Sequence, residues 1–310
     1  MSRLAALSTK AKVFLALGLY LGITFLLILI LGNEGKNEAF QPQNEFKLDP
    51  WVDISIAGID FSINKAVLYL GLASVLTIGT MTFIANRMQR EPNKVQMAME
   101  LAYDLTRNNI TYGNLGEGTK MANRWFPLLA SLFFFIWFSN MIGFLPLPIN
   151  TEHTVDIFGL EVPSFALYAA TANLSVPLVL TLVVWTLYHV EGIRAKGFFP
   201  YFQSWLPAGL EDMNLPFKIF IFVIEAISHF ARLISLSVRL FANILAGHLL
   251  LLFMGGGLAV LLGLAALGVL TFPLAFFFFI LEVGLIATLQ AFIFSTLTAI
   301  YIGGATVESH

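Results

Sequence analysis

The sequence predicts an all-α polytopic membrane protein with about six transmembrane helices. Of its 310 residues, 58% are hydrophobic and only 12% are charged, about half the charged fraction of ordinary soluble domains. Six apolar runs are also long enough to cross a hydrocarbon core of ~30 Å, which takes about 20 residues. The chain therefore belongs in a lipid bilayer.

The composition excludes several classes of function. The sequence has no cysteine, which rules out disulfides and thiolate metal sites. It also has no HExxH spacing and none of the glycine-rich motifs that bind nucleotides. A formal net charge of -2 without a long basic run argues against a nucleic-acid partner. We expect no cofactor and no metal.

The six apolar runs cover residues 13–31, 66–85, 125–145, 174–190, 217–254 and 258–302. The first run also fits a signal peptide, because basic residues precede it. Its apolar core is longer than the usual ~7–15 residues and no small-residue cleavage site follows directly, so we favour a retained helix. We divide the chain into residues 1–52, an extra helix with an outside-facing acidic loop, and residues 53–310, a channel domain.

Basic residues predict the orientation of the chain. The loop 150–173 has no Lys or Arg, whereas the loop 86–123 carries five, namely Arg87, Arg90, Lys94, Arg107 and Lys120. By the positive-inside rule, the basic loop faces the cytoplasm and the other loop faces outside. Lys10 and Lys12 place the N-terminus in the cytoplasm, and six spans return the C-terminus there.

Between the second and third spans, residues 92–112 predict one amphipathic helix. Apolar residues recur there at a helical period, at Val95, Ala98, Met99, Ala102 and Leu105. Such a helix lies on the membrane surface or against a partner.

The last two apolar runs are too long for upright helices. At ~1.5 Å per residue, residues 217–254 would extend on the order of 57 Å, nearly twice the hydrocarbon thickness. We expect a hairpin of two strongly tilted helices that turns at the three glycines 255–257, with Pro273 as a further kink or break. A tilted pair lies across its neighbour, which suits a curved partner surface.

The most informative residue is Arg239, which lies deep in the fifth run. Arginine stays charged at any accessible pH, and burying it at membrane depth costs at least a few kcal/mol, so such a residue is a functional candidate. On a helical wheel it shares one face with four earlier polar residues, and Asn243 extends that face by one turn; the four are Glu225, Ser228, Arg232 and Ser235.

Further polar residues follow Arg239 and recur in the sixth run. They are Gly247, His248, Glu282, Thr288 and Gln290. Each candidate also has a structural interpretation. Asn243 suits an interhelical hydrogen bond, Gly247 close helix packing and His248 a structural role; Glu225 suits a solvated helix end. Ser228 and Ser235 can bond to their own helix, and Arg232 can extend to the interface. We interpret His189 and His229 as structural, with His229 off the polar face.

Three segments resemble motifs of subunit a of F-type ATP synthases. They are residues 235–248 (SLSVRLFANILAGH), 289–297 (LQAFIFSTL) and 140–146 (NMIGFLP). The resemblance runs from about Asp53 to the C-terminus. It implies a stator subunit with two ion half-channels, which carries protons to and from carboxylates on a ring of c subunits. The other implied partners are the peripheral-stalk b subunits and the remaining synthase subunits, and the implied location is a bacterial plasma membrane.

The resemblance also assigns roles. Arg239 matches the essential arginine, Asn243 and Gln290 match its polar partners, and Glu225 matches an acid of the cytoplasmic-side channel. His248 occupies a position that the family fills with His or an acid, and Glu282 resembles its partner on the last helix.

The chain departs from the family pattern in two places. Glu282 precedes Gln290 by eight residues instead of the usual seven, which on an α-helix turns it by ~100° away from the channel. At 173–175 the family often has Asp-x-Asn, whereas this chain has Asn173, Leu174 and Ser175. We therefore expect no acidic lining there.

The alternative is a stand-alone secondary proton transporter or channel. That class predicts internal repeats with interrupted helices in corresponding halves, which this sequence lacks.

Overall fold

The computed structural model describes residues 9–31, 42–56, 58–89, 91–206, 214–263 and 265–306. Within these ranges, six helical stretches are long and apolar enough to cross a membrane. They are Lys10–Leu27, Lys65–Asn86, Lys120–Ile142, Ser175–Lys196, Leu215–Val260 and Leu267–Thr306. The predicted fold class and the six predicted spans are confirmed.

The longer helices are labelled in chain order: α1 (Thr9–Leu31), α2 (Lys65–Arg87), α3 (Lys94–Asp104), α4 (Lys120–Ile142), α5 (Ser175–Lys196), α6 (Phe198–Gln203), α7 (Leu215–Leu252), α8 (Leu258–Leu262), α9 (Ala265–Leu281) and α10 (Ala287–Thr306). Three π-helical segments connect or extend them, at Leu105–Tyr112, Phe253–Gly257 and Glu282–Ile286. Short 3-10 turns lie at Pro42–Phe46 and Ala170–Ala172, and one α-helical turn at Gly113–Leu115.

The chain divides into two compact units. The first contains Met1–Lys47 and Ala246–Gly284, and the second contains Leu48–Leu245 and Leu285–His310. The proposed division at residue 53 stays a prediction.

The core of the second unit is a bundle of apolar faces from α4, α5, α7 and α10. Its fully buried members include Phe133 and Phe134 of α4, Leu240 of α7 and Phe294 of α10. Asn140 of α4 is buried with them, and its amide donates to the carbonyl of Ala287 over 3.3 Å. These contacts position the middle of α7 and the start of α10.

In the first unit, α1 packs against α9 through a polar contact beside a proline. Pro273 lies inside α9, and it has no N–H for the carbonyl of Val269 four residues earlier. The hydroxyl of Tyr20 on α1 donates to that carbonyl. Because lipid offers no donor, this contact compensates for the hydrogen bond that Pro273 removes. α9 continues through Pro273 without a break.

The turn between the last two spans is less simple than the predicted hairpin. α7 is continuous over 38 residues, as its length in sequence suggested. The chain then turns at Gly256, whose φ of 146° favours glycine, and again at Gly263, whose φ is 71°. The sixth predicted span, 258–302, begins with the short α8 and is interrupted at Gly263. From Ala265 to Thr306 the chain is helical throughout, as α9, the π-helical segment Glu282–Ile286 and α10. The predicted tilt stays a prediction.

A β-hairpin follows α4, where the sequence predicted only a loop. β3 (Leu147–Ile157) pairs antiparallel with β4 (Leu160–Ala166). At its tip Phe158 and Gly159 both have positive φ, and the carboxylate of Asp156 accepts a hydrogen bond of 2.7 Å from the amide of Gly159. A smaller pair, β1 (Ser55–Ile56) and β2 (Ile59–Asp60), precedes α2.

The amphipathic helix predicted over residues 92–112 forms as α3, and the π-helical segment Leu105–Tyr112 continues it. One face of the continuation is buried, because Thr106, Ile110 and Thr111 have no exposed surface, and its exposed side chains are the polar Arg107, Asn108 and Asn109. α3 keeps the apolar Val95 and Leu101 exposed. The exposed apolar face that a membrane surface or a partner can cover thus lies in the first half, α3.

Candidate functional site

Arg239 lies on an exposed side of α7, on the surface of the second unit. Among the described residues, no carboxylate lies within ion-pair distance of its guanidinium and no hydrogen bond forms to it. A permanent cation at this place in an apolar helix cannot be left facing lipid. A polar group outside the described chain, or water, must therefore face it.

The surface around Arg239 has mostly small side chains. Ala231, Ser235, Ala242 and Asn243 are exposed on the same side of α7, whereas Leu236 and Leu240 on the other side are buried. Small residues let another membrane helix approach closely. This surface, formed by Ala231, Ser235, Arg239, Ala242 and Asn243, thus combines the cation of Arg239 with room for a neighbouring helix.

Two turns earlier on α7, the side chains of Glu225, His229 and Arg232 form a cluster. A carboxylate oxygen of Glu225 lies 3.3 Å from Nη2 of Arg232 and 3.7 Å from Nε2 of His229. Both members of the Glu225–Arg232 pair are about one-third exposed. The pair is therefore partly solvated, and Glu225 has a cation from its own chain as counter-ion.

His229 is held by three aromatic residues, two at its ring and one at its backbone. Its Nδ1 lies 3.0 Å from the hydroxyl of Tyr188 on α5, and the indole of Trp205 stacks on the ring with centroids 4.3 Å apart. The indole N–H of Trp185 donates to the backbone carbonyl of His229 over 3.2 Å. These contacts leave the Nε2 edge of the ring facing Glu225.

The cluster lines a cavity of about 380 Å³ between α5, α6, α7 and α10. Its lining includes Lys196, Tyr201, Ser204 and Tyr301. Burial raises the pKa of Tyr201 above its ordinary value, so this side chain stays a neutral phenol at physiological pH. The polar lining makes the cavity suitable for water.

This cluster corrects two sequence interpretations. Arg232 does not simply extend to an interface, because it pairs with Glu225. His229 is not remote from the polar face, because it lines the same cavity as Glu225. The spacing of four residues between Glu225 and His229 was the signal that the sequence offered. Ser228 and Ser235 form no hydrogen bond among the described residues, whereas Ser237 bonds to its own helix carbonyls.

In the first unit, Glu282 packs directly on Gly247. A Cβ built on Gly247 would lie 2.3 Å from the carboxyl carbon of Glu282, so any larger residue would displace the carboxylate. Glu282 is only 4% exposed, and within the described residues its Oε2 has no hydrogen-bond partner. His248, next to Gly247, is buried as well and engaged in contacts of its own. Gly247 is thus required by the carboxylate beside it.

The eight-residue interval between Glu282 and Gln290 has a structural explanation. The segment Glu282–Ile286 is π-helical, and a π turn accommodates one extra residue within a helix. The extra residue offsets most of the ~100° rotation that an α-helix would impose. The π-helical segment thus removes the reason to expect Glu282 to turn away from the channel, and its place in the channel stays a prediction.

The remaining candidates have different environments. Gln290 is buried, whereas Asn243 is exposed, and neither forms a side-chain hydrogen bond within the described ranges. Thr288 accepts a hydrogen bond of 3.0 Å from the indole of Trp137. At the start of α5, the side chain of Asn173 accepts a hydrogen bond of 3.0 Å from the amide of Ser175. In the part of the chain that the structure describes, no three His, Asp or Glu side chains gather to hold a metal ion.

Comparison with known proteins identifies a family. The family model described as ATP synthase A chain matches residues 67–303, which is most of the chain. ATP synthase subunit a of Hyphomonas neptunium is 31% identical over 273 residues, covering 86% of this chain and 96% of that protein. The subunit a of Helicobacter pylori is 37% identical over 245 residues, covering 77% and 91%. That of Rubrobacter xylanophilus is 33% identical over 255 residues, covering 82% and 88%. The chain therefore belongs to the ATP synthase A chain family, the non-catalytic membrane subunit a of the Fo sector.

Proposed function

We propose that Arg239 is the residue of this stator subunit that meets the carboxylates of the rotor ring, and that polar residues before and after it form two half-channels. The chain is a stator subunit of a rotary ATP synthase that couples ion flow to rotation. It carries no ATP chemistry, which belongs to other subunits. Its partners are the c-ring, the peripheral-stalk b subunits, the remaining synthase subunits and the lipid bilayer.

The observation that carries this proposal is the exposed guanidinium of Arg239, which has no partner among the residues that the structure describes. A fixed positive charge in a low-dielectric region favours the ionised form of a carboxylic acid that approaches it. A ring carboxyl that arrives at Arg239 therefore loses its proton. The small exposed residues around Arg239 allow a ring helix to come close. The same charge repels protons that would pass straight from one half-channel to the other.

We assign the group that precedes Arg239 on α7 to the cytoplasmic-side half-channel. Glu225 is its central acid, since it is partly solvated and lines a polar cavity. Ser228 and Ser235 extend this route toward Arg239, because their hydroxyls have no partners among the described residues and are free to bond water.

The second half-channel uses His248 and Glu282, with Asn243 and Gln290 as polar neighbours of the arriving carboxylate. Glu282 has a buried oxygen without a described partner, which suits a proton carrier better than a structural acid. Reprotonation by this group allows the ring carboxyl to enter lipid in its neutral form. Each charge that crosses draws ~2.3 kcal/mol per 100 mV of membrane potential, which biases the rotation.

The orientation of the chain follows from its basic loops. With loop 86–123 in the cytoplasm, both termini are cytoplasmic and the Glu225 group opens to the cytoplasm. Because the relatives of known source are bacterial, we assign the chain to a bacterial plasma membrane.

The test of this function is Arg239→Ala in the assembled complex, in inverted membrane vesicles supplied with ATP. We expect assembly and ATP hydrolysis to remain while ATP-driven acidification of the vesicles is lost. Normal acidification in that variant would refute the role of Arg239. A stand-alone transporter, the alternative class, would instead move protons in vesicles without the ring, and would not co-purify with a ring of small hydrophobic subunits.

A further inference from the structure

His229 is a buried titratable group that the route described above does not use. Its side chain is 9% exposed, yet it lines the cavity that also holds Glu225 and Arg232. A histidine with only a packing role would not need Glu225 and Arg232 beside it. Here each polar atom of the ring faces another ionisable side chain, Tyr188 at Nδ1 and Glu225 at Nε2.

The contacts fix the orientation of the ring. Tyr188 comes from α5, and the stacked indole of Trp205 follows α6, so three parts of the chain hold one imidazole. An aligned histidine between an acid and a second oriented group is the arrangement of side chains that transfer protons. Packing alone would not require Nε2 to face a carboxylate.

The distance from Nε2 to the carboxylate oxygen is 3.7 Å, which is too long for a direct hydrogen bond. A small rotation of the Glu225 side chain, or one water molecule, closes that gap. One water molecule needs ~10–15 Å³ of cavity volume, so the cavity of about 380 Å³ has room for several water molecules. Bridging by water is therefore compatible with the geometry.

We propose that His229 is a second proton carrier of the cytoplasmic-side half-channel, which takes protons from Glu225 and releases them to water in the cavity. This inference rests on the proposed function of the Glu225 group. It assigns to His229 of this chain a role that the sequence alone did not suggest.

The transfer balances in protons and charge. In the tautomer with its proton on Nδ1, the ring donates to the oxygen of Tyr188 and leaves the lone pair of Nε2 toward Glu225. Protonated Glu225 gives its proton to Nε2, which leaves a carboxylate beside Arg232 and an imidazolium. The imidazolium keeps its bond to Tyr188 and then releases the Nε2 proton to cavity water. For the opposite direction of rotation, the same steps run in reverse.

Several ionisable groups set the pH range of this transfer. The negative charge of Glu225 stabilises the imidazolium form of His229. The positive charge of Arg232, which lies near the same carboxylate oxygen, destabilises that form. The other groups around the ring or the cavity are Tyr188 and His189 of α5, Lys196 at the end of α5, Tyr201 of α6 and Tyr301 of α10. Of these, Lys196 is the basic side chain that lines the cavity together with Arg232.

The test compares His229→Gln with His189→Gln in vesicles that contain the ring and this chain but no catalytic head. Glutamine can bond to Tyr188 but does not titrate, and His189 touches the ring of His229 without lining the cavity. We measure passive proton flow, driven by a potassium diffusion potential, as a function of pH. We expect the rate of passive proton flow to fall at least about tenfold in His229→Gln. A side chain that transfers protons accelerates a reaction ~10²–10⁴-fold, and water in the cavity can replace part of that acceleration.

Three further readouts separate proton transfer from packing. The part of the pH dependence of flow that comes from titration of the His229 imidazole should disappear in His229→Gln and persist in His189→Gln. Added free imidazole should restore part of the flow. Tyr188→Phe keeps the histidine but removes the oxygen that stabilises the imidazolium, so the midpoint of the pH dependence should move to lower pH.

Flow in His229→Gln equal to that of the parent, with the same pH dependence, would overturn the proposal. If His229→Gln fails to assemble, Tyr188→Phe decides: an unmoved midpoint overturns the proposal and a lowered one supports it. Arg239→Ala distinguishes failure of this proposal from failure of the proposed function. If Arg239→Ala abolishes coupled pumping while His229→Gln changes nothing, only the role of His229 as a proton carrier is wrong. Normal pumping in Arg239→Ala would refute the proposed function itself.

Discussion

Arg232 and Arg239 lie seven residues apart on nearly the same side of α7, but their surroundings are opposite. Arg232 has a carboxylate of its own chain at 3.3 Å and the ring of Tyr301 at 5.8 Å. Arg239 has no such partner among the described residues and faces outward between small side chains. On a helical wheel, the two residues are almost equivalent.

The comparison shows that two kinds of polar group in a membrane subunit can be distinguished by where their interaction partners lie. A group whose partner lies within the chain stabilises the chain or tunes a neighbour. A group whose partner is missing from the chain indicates contact with another molecule or with a moving proton. Within the described residues, Arg239 and the buried oxygen of Glu282 have no partner and belong to the second kind, whereas Arg232 and Tyr20 belong to the first.

The largest expected effect comes from removing each arginine in turn. Arg239→Ala should lower ATP synthesis at least about 100-fold, because it removes a preorganised charge from a low-dielectric site. Arg232→Ala should lower ATP synthesis only about two- to fivefold, since a partly exposed pair contributes ~0.2–1 kcal/mol. Synthesis is measured in energised vesicles with matched amounts of complex. An equal loss of ATP synthesis in the two variants would show that the two arginines do not differ in function as proposed.

Glu282→Gln should have the next largest effect. The substitution keeps the shape of the side chain but removes its ability to carry a proton, so passive proton flow should fall about tenfold. Glu117→Gln, at an exposed loop position, is the matched control and should conduct like the parent. Unaltered flow in Glu282→Gln would show that this carboxylate is not part of the route.

Gly247→Ala tests the same carboxylate without changing its charge. The new methyl group would fall 2.3 Å from the carboxyl carbon, so Glu282 must move. We expect passive flow to fall about threefold, less than in Glu282→Gln, because a displaced acid still transfers protons through water. Gly255→Ala, where a Cβ meets no atom within 4 Å, is the control. If both variants conduct equally, the close packing on Gly247 has no bearing on transport.

Tyr20→Phe should alter stability and leave transport unchanged. It leaves the carbonyl of Val269 without the donor that replaces the missing N–H of Pro273, which costs about 1 kcal/mol. The midpoint for heat-induced loss of the folded chain from the purified complex should fall by roughly 2–4 °C. Thr24→Val is the control, because the hydroxyl of Thr24 bonds only within its own helix. A large loss of proton flow in Tyr20→Phe would contradict this assignment.

The parts of the fold set by length and hydrophobicity could be predicted from the sequence. The six spans follow from apolar runs, and the turn at the three glycines follows from their backbone freedom. The β-hairpin 147–166 was not predicted. Its strands are held by pairing across the tip at Phe158 and Gly159, and not by a regular alternation of apolar residues.

The candidate site was predictable only where one residue carries the signal. Arg239 and Glu282 stand out because charge is rare in apolar runs. The environment on which the role proposed for His229 rests was not predicted, because it depends on Tyr188 and Trp205, which come from other parts of the chain. The π-helical segment Glu282–Ile286 was not predicted. In an α-helix, an interval of eight residues instead of seven rotates Glu282 by ~100°, whereas a π turn absorbs the extra residue, and the sequence does not distinguish the two cases.

The most direct test is a density map of the intact complex that resolves the guanidinium of Arg239. The account predicts that a ring carboxylate lies within direct or water-mediated hydrogen-bond distance of it, about 3–6 Å, with no carboxylate of this chain closer. A map in which Arg239 turns away from the ring, or in which Glu225, Glu282 or another acid of this chain holds it in a permanent salt bridge, would contradict the account.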